Sequence, residues 1–124
     1  MGSIATIGDL IFQRPLAYHL KGDNNVQMVV RHTDKKLERL ETDSGFMAGF
    51  DASVVKIYRA RMQLIRAAAD ERAFYALKSL HFEKLRGRRS HERSMRLNKQ
   101  FRLVLRFEES ADKIVVIVSI EDYH

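Results

Sequence analysis

The hydrophobic period of this chain changes once, and that change limits what the chain can fold into. As far as Ala69 the apolar residues recur at helical spacing, and after Ser79 they alternate. A helix returns to the same face every three to four residues, a strand every second one. Between Ser53 and Ala69, Val54, Tyr58, Met62, Ile65 and Ala69 fall on one helical face, with Lys56, Arg59, Gln63 and Arg66 away from it. A shorter helix precedes it, capped by Thr33 and running to about Glu41, with Leu37 and Leu40 inward. Asp43 to Gly49 is turn-rich, and a helical turn is expected over Arg72 to Leu77. Strands are expected at Val29-Val30, from Leu80 through Leu85 and ending at Gly87, at Arg93–Leu97, at Phe101–Phe107 and at Lys113–Ile120. Helices followed by a strand meander predict an α+β fold. The N-terminal helices should pack on one face of a mainly antiparallel sheet of four to five strands.

The chain has 124 residues, enough for a single domain to build a core without staples. Residues 28–124 read as that domain. Residues 1–27 read as an N-terminal extension, because they hold the only proline, Pro15, and the turn-prone Gly22-Asp23-Asn24-Asn25. An arm packed on the domain or on a partner is the open alternative. There is no cysteine, which excludes disulfides, thiolate metal sites and a cysteine nucleophile, and suits the cytoplasm. No apolar run approaches the roughly 20 residues of a membrane helix. The stretch Ile4 to Leu20 is interrupted by Asp9 and Arg14 and lacks the flanks of a secretory signal. His19, His32, His81 and His91 show no metal-ligand spacing and read as structural or exposed, so no metal or cofactor is expected. The chain has no glycine-rich phosphate loop, nucleophile elbow or conspicuous carboxylate pair.

Charge is where the sequence becomes specific. The net charge is +6, and it is concentrated. From Lys84 to Arg106 the cations are Lys84, Arg86, Arg88, Arg89, Arg93, Arg96, Lys99, Arg102 and Arg106, against the single acid Glu92. Such a segment favours an anionic partner: nucleic acid, ribosome or acidic protein. Around Asn98-Lys99-Gln100 the register of a hairpin is constrained. Met95, Leu97, Phe101 and Leu103 must share the core face, and a slip of one residue would bury arginines. Leu97 then faces Phe101, and Arg96 faces Arg102 on the other side. Like charges directly opposed cost stability unless an anion lies between them or solvent screens them. An anion site and a solvated polar face both remain open on this ground. The last strand runs out through Glu121-Asp122-Tyr123-His124, placing an acid, a phenol and an imidazole at the rim.

Three segments carry a resemblance: Leu85-Arg86-Gly87, then Ser94-Met95-Arg96-Leu97-Asn98-Lys99-Gln100-Phe101-Arg102, then a terminal Asp122-Tyr123-His124. In order, spacing and ending they resemble the HigB-like branch of the RelE/ParE toxin superfamily, over about residues 28 to 124. The resemblance implies a RelE-like fold and a type II toxin that cuts mRNA in the ribosomal A site. It also implies restraint by a small antitoxin, usually a helix-turn-helix protein. The family's active-site positions fall on Arg96, Arg102, Asp122, Tyr123 and His124. Arg86, Arg88, Arg89, Arg93, Lys99 and Arg106 are assigned to RNA binding. Arg86 stands where the family has lysine, Arg88 where it has an acid, and Arg93 where it often has an aromatic. A guanidinium holds a phosphate well but is a poor proton shuttle.

The implied chemistry is attack of a 2′-hydroxyl on the adjacent phosphorus, with arginines stabilising the charge that develops. An imidazole, with an ordinary pKa of about 6.5, suits His124 to proton transfer. Asp122 is expected on the face of His124, and Tyr123 on the opposite face unless the strand end bends. A ParE-like gyrase inhibitor, a non-catalytic RNA- or ribosome-binding module and a decayed toxin are the rival readings.

Overall fold

The computed structural model describes residues 27–109 and 113–123. Within them run β1 (Val29–His32), α1 (Lys35–Thr42), α2 (Ala52–Ala67), α3 (Arg72–Ala76), β2 (Glu83–Lys84), β3 (Glu92–Arg96), β4 (Phe101–Glu108) and β5 (Ile114–Asp122). Single 3₁₀ turns at Lys78–Leu80 and Gly87–Arg89 flank β2. The expected extension, apart from Gln27, lies outside the described residues.

The strands form one five-stranded sheet in the order β1-β5-β4-β3-β2. β2 to β5 are antiparallel neighbours, and β1 joins β5 in parallel. Leu37, Leu40, Val54, Tyr58, Met62 and Ile65 from the helices are buried with Met95, Leu97, Leu103, Leu105, Val115 and Ile117 from the sheet. The fold is therefore α+β with its helices on one sheet face, and the two periodicities of the sequence meet in one core. The other face carries the arginines. Among the described residues no helix is long and apolar enough to cross a membrane.

Several boundaries differ from expectation, each for a local reason. Asp34, not Thr33, caps α1, its carboxylate accepting from Leu37 N at 2.9 Å. Thr33 is still held by β5: its amide donates to Ile117 O at 2.9 Å and its hydroxyl to Val118 O at 2.8 Å. Helix α2 stops at Ala67, so Ala68 turns into the core and Ala69 is exposed. The expected strand from Leu80 shrinks to Glu83–Lys84, because His81 adopts a left-handed conformation, φ 46°, that closes the preceding turn.

A bulge in β5 decides which residues reach the arginine face. Leu105 pairs with Ile117 and Val104 with Ser119, so Val118 is an extra residue without a counterpart. It reverses parity: Val115 and Ile117 face the helices before the bulge, whereas Ile120 does so after it, opposite Leu103.

A polar network ties three elements beneath the core. Glu41 of α1 pairs with His32 of β1 at 3.0 Å and takes two bonds from Arg66 of α2, at 2.6 and 3.0 Å. Burial works to raise this carboxyl, but the hydrogen bonds from His32 and Arg66 outweigh it and hold the group down at about 2. Tyr58 Oη donates to Leu37 O at 2.8 Å, and burial raises its phenol.

Candidate functional site

The β3–β4 hairpin takes the expected register. Leu97 N donates to Phe101 O at 2.9 Å, and Arg96 pairs with Arg102. The turn is locked by Asn98, whose side-chain oxygen accepts from Gln100 N at 2.8 Å and Phe101 N at 2.7 Å. Strand alternation then sends both arginines to the face away from the helices.

The two guanidinium groups have different surroundings. Arg102 is largely buried, with its side chain 11% exposed. Its Nε donates to Ser94 Oγ at 2.8 Å and its Nη2 to the carbonyl of His81. Arg96 is half-buried; its Nε reaches Asn98 O at 3.3 Å, and its Nη1 lies 3.2 Å from His81 Nε2. A guanidinium is a donor only, so this ring nitrogen of His81 accepts. His81, expected to be structural or exposed, thus contributes its imidazole to one arginine and its main-chain oxygen to the other. Its exposed ring sits at the pair because the left-handed turn ends there. No spacing signal in the sequence marks it.

Tyr123 also reaches the pair. Its ring lies 5.4 Å from the Arg102 guanidinium and its amide donates to Gln100 O at 2.7 Å. The expectation that it turns away without a bend is corrected by the β5 bulge, which pairs Glu121 with Arg102 and so puts Tyr123 on the same side. Asp122 pairs with Phe101 instead, and its carboxylate accepts from Gln100 Nε2 at 2.9 Å. His124 lies outside the described residues.

The remaining cations divide into two groups. Arg86, Arg88 and Lys99 are exposed, and among the described residues no side chain pairs with them. Arg89 is committed to the protein. Its Nε donates to Glu92 at 2.7 Å, and its Nη1 and Nη2 donate to Glu121 at 2.9 and 2.7 Å. Those bonds, to Glu121 first and then Glu92, raise its pKa further, and Arg89 in turn holds the Glu121 carboxyl below its ordinary value. By register, the line from Glu92 to Glu121 crosses β4 near Val104, which is fully buried. Arg93 is not brought to this surface. It alternates with Ser94 and Arg96 onto the helix side, donates to Ser90 O and Glu92 O at 3.3 Å, and has its Nε 3.6 Å from Glu71. Arg106 keeps to the arginine face and pairs with Glu108 at 3.3 Å.

The site is thus a cationic surface: two guanidinium groups in register, an imidazole on one and a phenol ring beside the other. The 3₁₀ turn and the hairpin tip add the exposed cations Arg86, Arg88 and Lys99. This arrangement can hold a phosphate, stack a base and move a proton. Among the described residues no group of His, Asp and Glu is placed to hold a metal ion.

A family profile described as the RelE-like toxin of the type II toxin-antitoxin system HigB matches residues 30–124. The chain belongs to the HigB-like toxin family. As a HigB-like, type II toxin it has an antitoxin as its partner. Among solved structures the chain is similar to a YoeB/ParE toxin from Agrobacterium tumefaciens, with a TM-score of 0.54 and 15% identity, over 78% of this chain and 100% of the other. A conserved hypothetical protein from Helicobacter pylori is also similar, with a TM-score of 0.45 and 14% identity, over 78% of this chain and 96% of the other. The first likeness establishes the fold shared by this HigB-like toxin and that protein. No curated protein sequence matches the chain.

Proposed function

We propose that this HigB-like toxin is a ribosome-dependent mRNA endoribonuclease. The observation that carries the reading is the register pair Arg96 and Arg102, with the His81 imidazole on the first and the Tyr123 ring beside the second. Arg96 and Arg102 hold the scissile phosphate. The 2′-hydroxyl loses its proton and its oxygen bonds to phosphorus. The bond from phosphorus to the 5′-oxygen breaks, that oxygen takes up a proton, and a 2′,3′-cyclic phosphate is left. Fixed guanidinium donors stabilise the charge that builds on the phosphoryl oxygens.

His124 is assigned one proton transfer, and His81, whose Nε2 carries a lone pair, stands ready for the other. Tyr123 stacks on a base, Asp122 orients the His124 imidazole, and Arg86, Arg88, Lys99 and Arg106 draw in the RNA backbone. Effective molarity is supplied by the ribosome that displays the mRNA, so activity on free RNA is weak. The antitoxin is proposed to be a helix-turn-helix protein, and the site of action the cytoplasm.

The test uses purified ribosomes with an mRNA codon in the A site. The wild type should cut the mRNA, and Arg96→Ala and His124→Ala should each slow cutting by about 100-fold or more. Intact mRNA with the wild type, or undiminished cutting by both variants, overturns the reading. Growth arrest with intact mRNA and blocked DNA gyrase would favour gyrase inhibition instead.

A further inference from the structure

Helix α2 carries Arg59, Arg61 and Arg66, and their partners differ. Arg59 donates to the carbonyls of Leu40, Asp43 and Phe46, at 2.9, 2.9 and 3.1 Å. Arg66 is paired with Glu41. Arg61 donates only its Nε, to the main-chain oxygen of Arg96 at 3.1 Å. Among the described residues no carboxylate pairs with it.

Its place follows from helical spacing. Arg61 lies three residues after Tyr58 and four before Ile65, both fully buried, so it sits on the flank of the buried stripe. There it is half-buried, and burial pulls its pKa down without removing its charge. A partly desolvated cation normally has an opposite charge or a full set of acceptors. Arg61 has one carbonyl.

The Arg96 carbonyl it binds belongs to the β3 edge, beyond the point where β2 ends at Glu83 opposite Ser94. This edge is where His81 meets Arg96. Arg61 thus reaches the main chain of Arg96, whose side chain meets His81 and whose register partner is Arg102, so the helix layer, a turn and two strands meet at this strand edge. Two acids lie beside this group: Glu83, 60% exposed and 4.0 Å from Arg102, and Glu121, the register partner of Arg102, which is held by Arg89.

From this juxtaposition we infer that Arg61 binds an RNA phosphate next to the one held by Arg96 and Arg102, making the site selective for a run of nucleotides over a single phosphodiester. The inference rests on the RNA-cleaving reading and extends its site around the sheet edge to the helix layer. Arg61 is a binding residue, and its Nε bond to the Arg96 carbonyl leaves its terminal nitrogens for the phosphate.

The test measures binding of 2′-O-methyl RNA, which cannot supply the attacking hydroxyl, as a dinucleotide with one phosphate and as a tetranucleotide with three. For the tetranucleotide, Arg61→Gln should make the slope of log affinity against log salt shallower by about 0.7. The dinucleotide should bind Arg61→Gln as it binds the wild type. Arg61→Lys, which keeps the charge, should restore the slope, and Arg96→Gln should weaken both ligands. An unchanged tetranucleotide slope in Arg61→Gln overturns the inference. So does an equal loss for both ligands, or failure of Arg61→Lys to restore the slope, since either shows that Arg61 only props the hairpin. A wild type that binds neither oligonucleotide at low salt also overturns it, and the ribosome assay then decides separately whether the nuclease reading stands.

Discussion

At the scale of single residues, Arg96 and Arg102 are not equivalent, although the sequence presents them as a symmetric pair. Arg102, 11% exposed, donates to the buried Ser94 hydroxyl and to the His81 carbonyl, so Arg102→Ala leaves Ser94 Oγ short of a donor. We expect a stability loss of about 1–3 kcal/mol, the usual penalty for stranding buried polar groups. Arg96 is more open and contributes longer bonds. Arg96→Ala should change stability by less than about 1 kcal/mol. Its cutting rate should fall by about 100-fold or more, as when one preorganised donor to a developing oxyanion is lost. Urea unfolding beside the ribosome assay separates the two cases, and equal stability losses in both variants would contradict it. The pair was legible because both strands alternate cleanly and a slipped register would bury charge. His81 was not. It reaches Arg96 from a different segment, through a left-handed turn in a histidine, and no periodic pattern announces such a turn.

At the scale of elements, two errors of face show what strand patterns conceal. Arg93 counted toward the basic segment by charge, yet the alternation that places Met95 and Leu97 inward places Arg93 with them. Tyr123 was misplaced because β5 is uniformly apolar up to Val118, so its sequence does not show that Val118 is the extra residue. A continuous Val/Ile run signals a buried strand but says nothing of parity. The 86–91 segment rests on two devices that can be removed separately. Gly87 adopts φ +66°, and a Cβ built there meets nothing within 4 Å, so Gly87→Ala suffers backbone strain alone. A cost of about 1 kcal/mol is expected, measurable as a lower urea midpoint. Arg89 spans β3 to β5, and Arg89→Met leaves Glu92, whose side chain is 11% exposed, without its 2.7 Å partner. Faster amide exchange across residues 85–91 should follow, with weaker RNA binding through the loosened Arg86 and Arg88. Unchanged exchange there would show that Arg89 does not hold this segment.

At the scale of the whole molecule, the switch from helical to alternating periodicity was enough to give the layer architecture. It could not give the place of β1, whose parallel partner comes from the far end of the chain. Long-range pairing of this kind is set by which edge remains free once β2 to β5 have formed, and no local pattern encodes it. What secures that closure is the Glu41 network, which joins β1 through His32 and α2 through Arg66. The Glu41 carboxyl sits at about 2 in the fold against an ordinary 4.5, so folding favours its ionised form. The stability this contributes is complete above about 4.5 and is lost as the pH falls from there toward 2. Protonation weakens the Arg66 bonds at the point where α1 meets both β1 and α2, so the loss should appear as one cooperative shift rather than local fraying. Urea midpoints measured from pH 6 to pH 2 should fall in that window. Glu41→Gln should be less stable than the wild type at pH 6 and should flatten the fall, because a neutral amide has no proton to take up. An equally steep fall in Glu41→Gln would move the acid sensitivity to the other depressed carboxylates, Asp43, Asp70 and Glu121, which are tied to surface arginines rather than to the junction of sheet and helices.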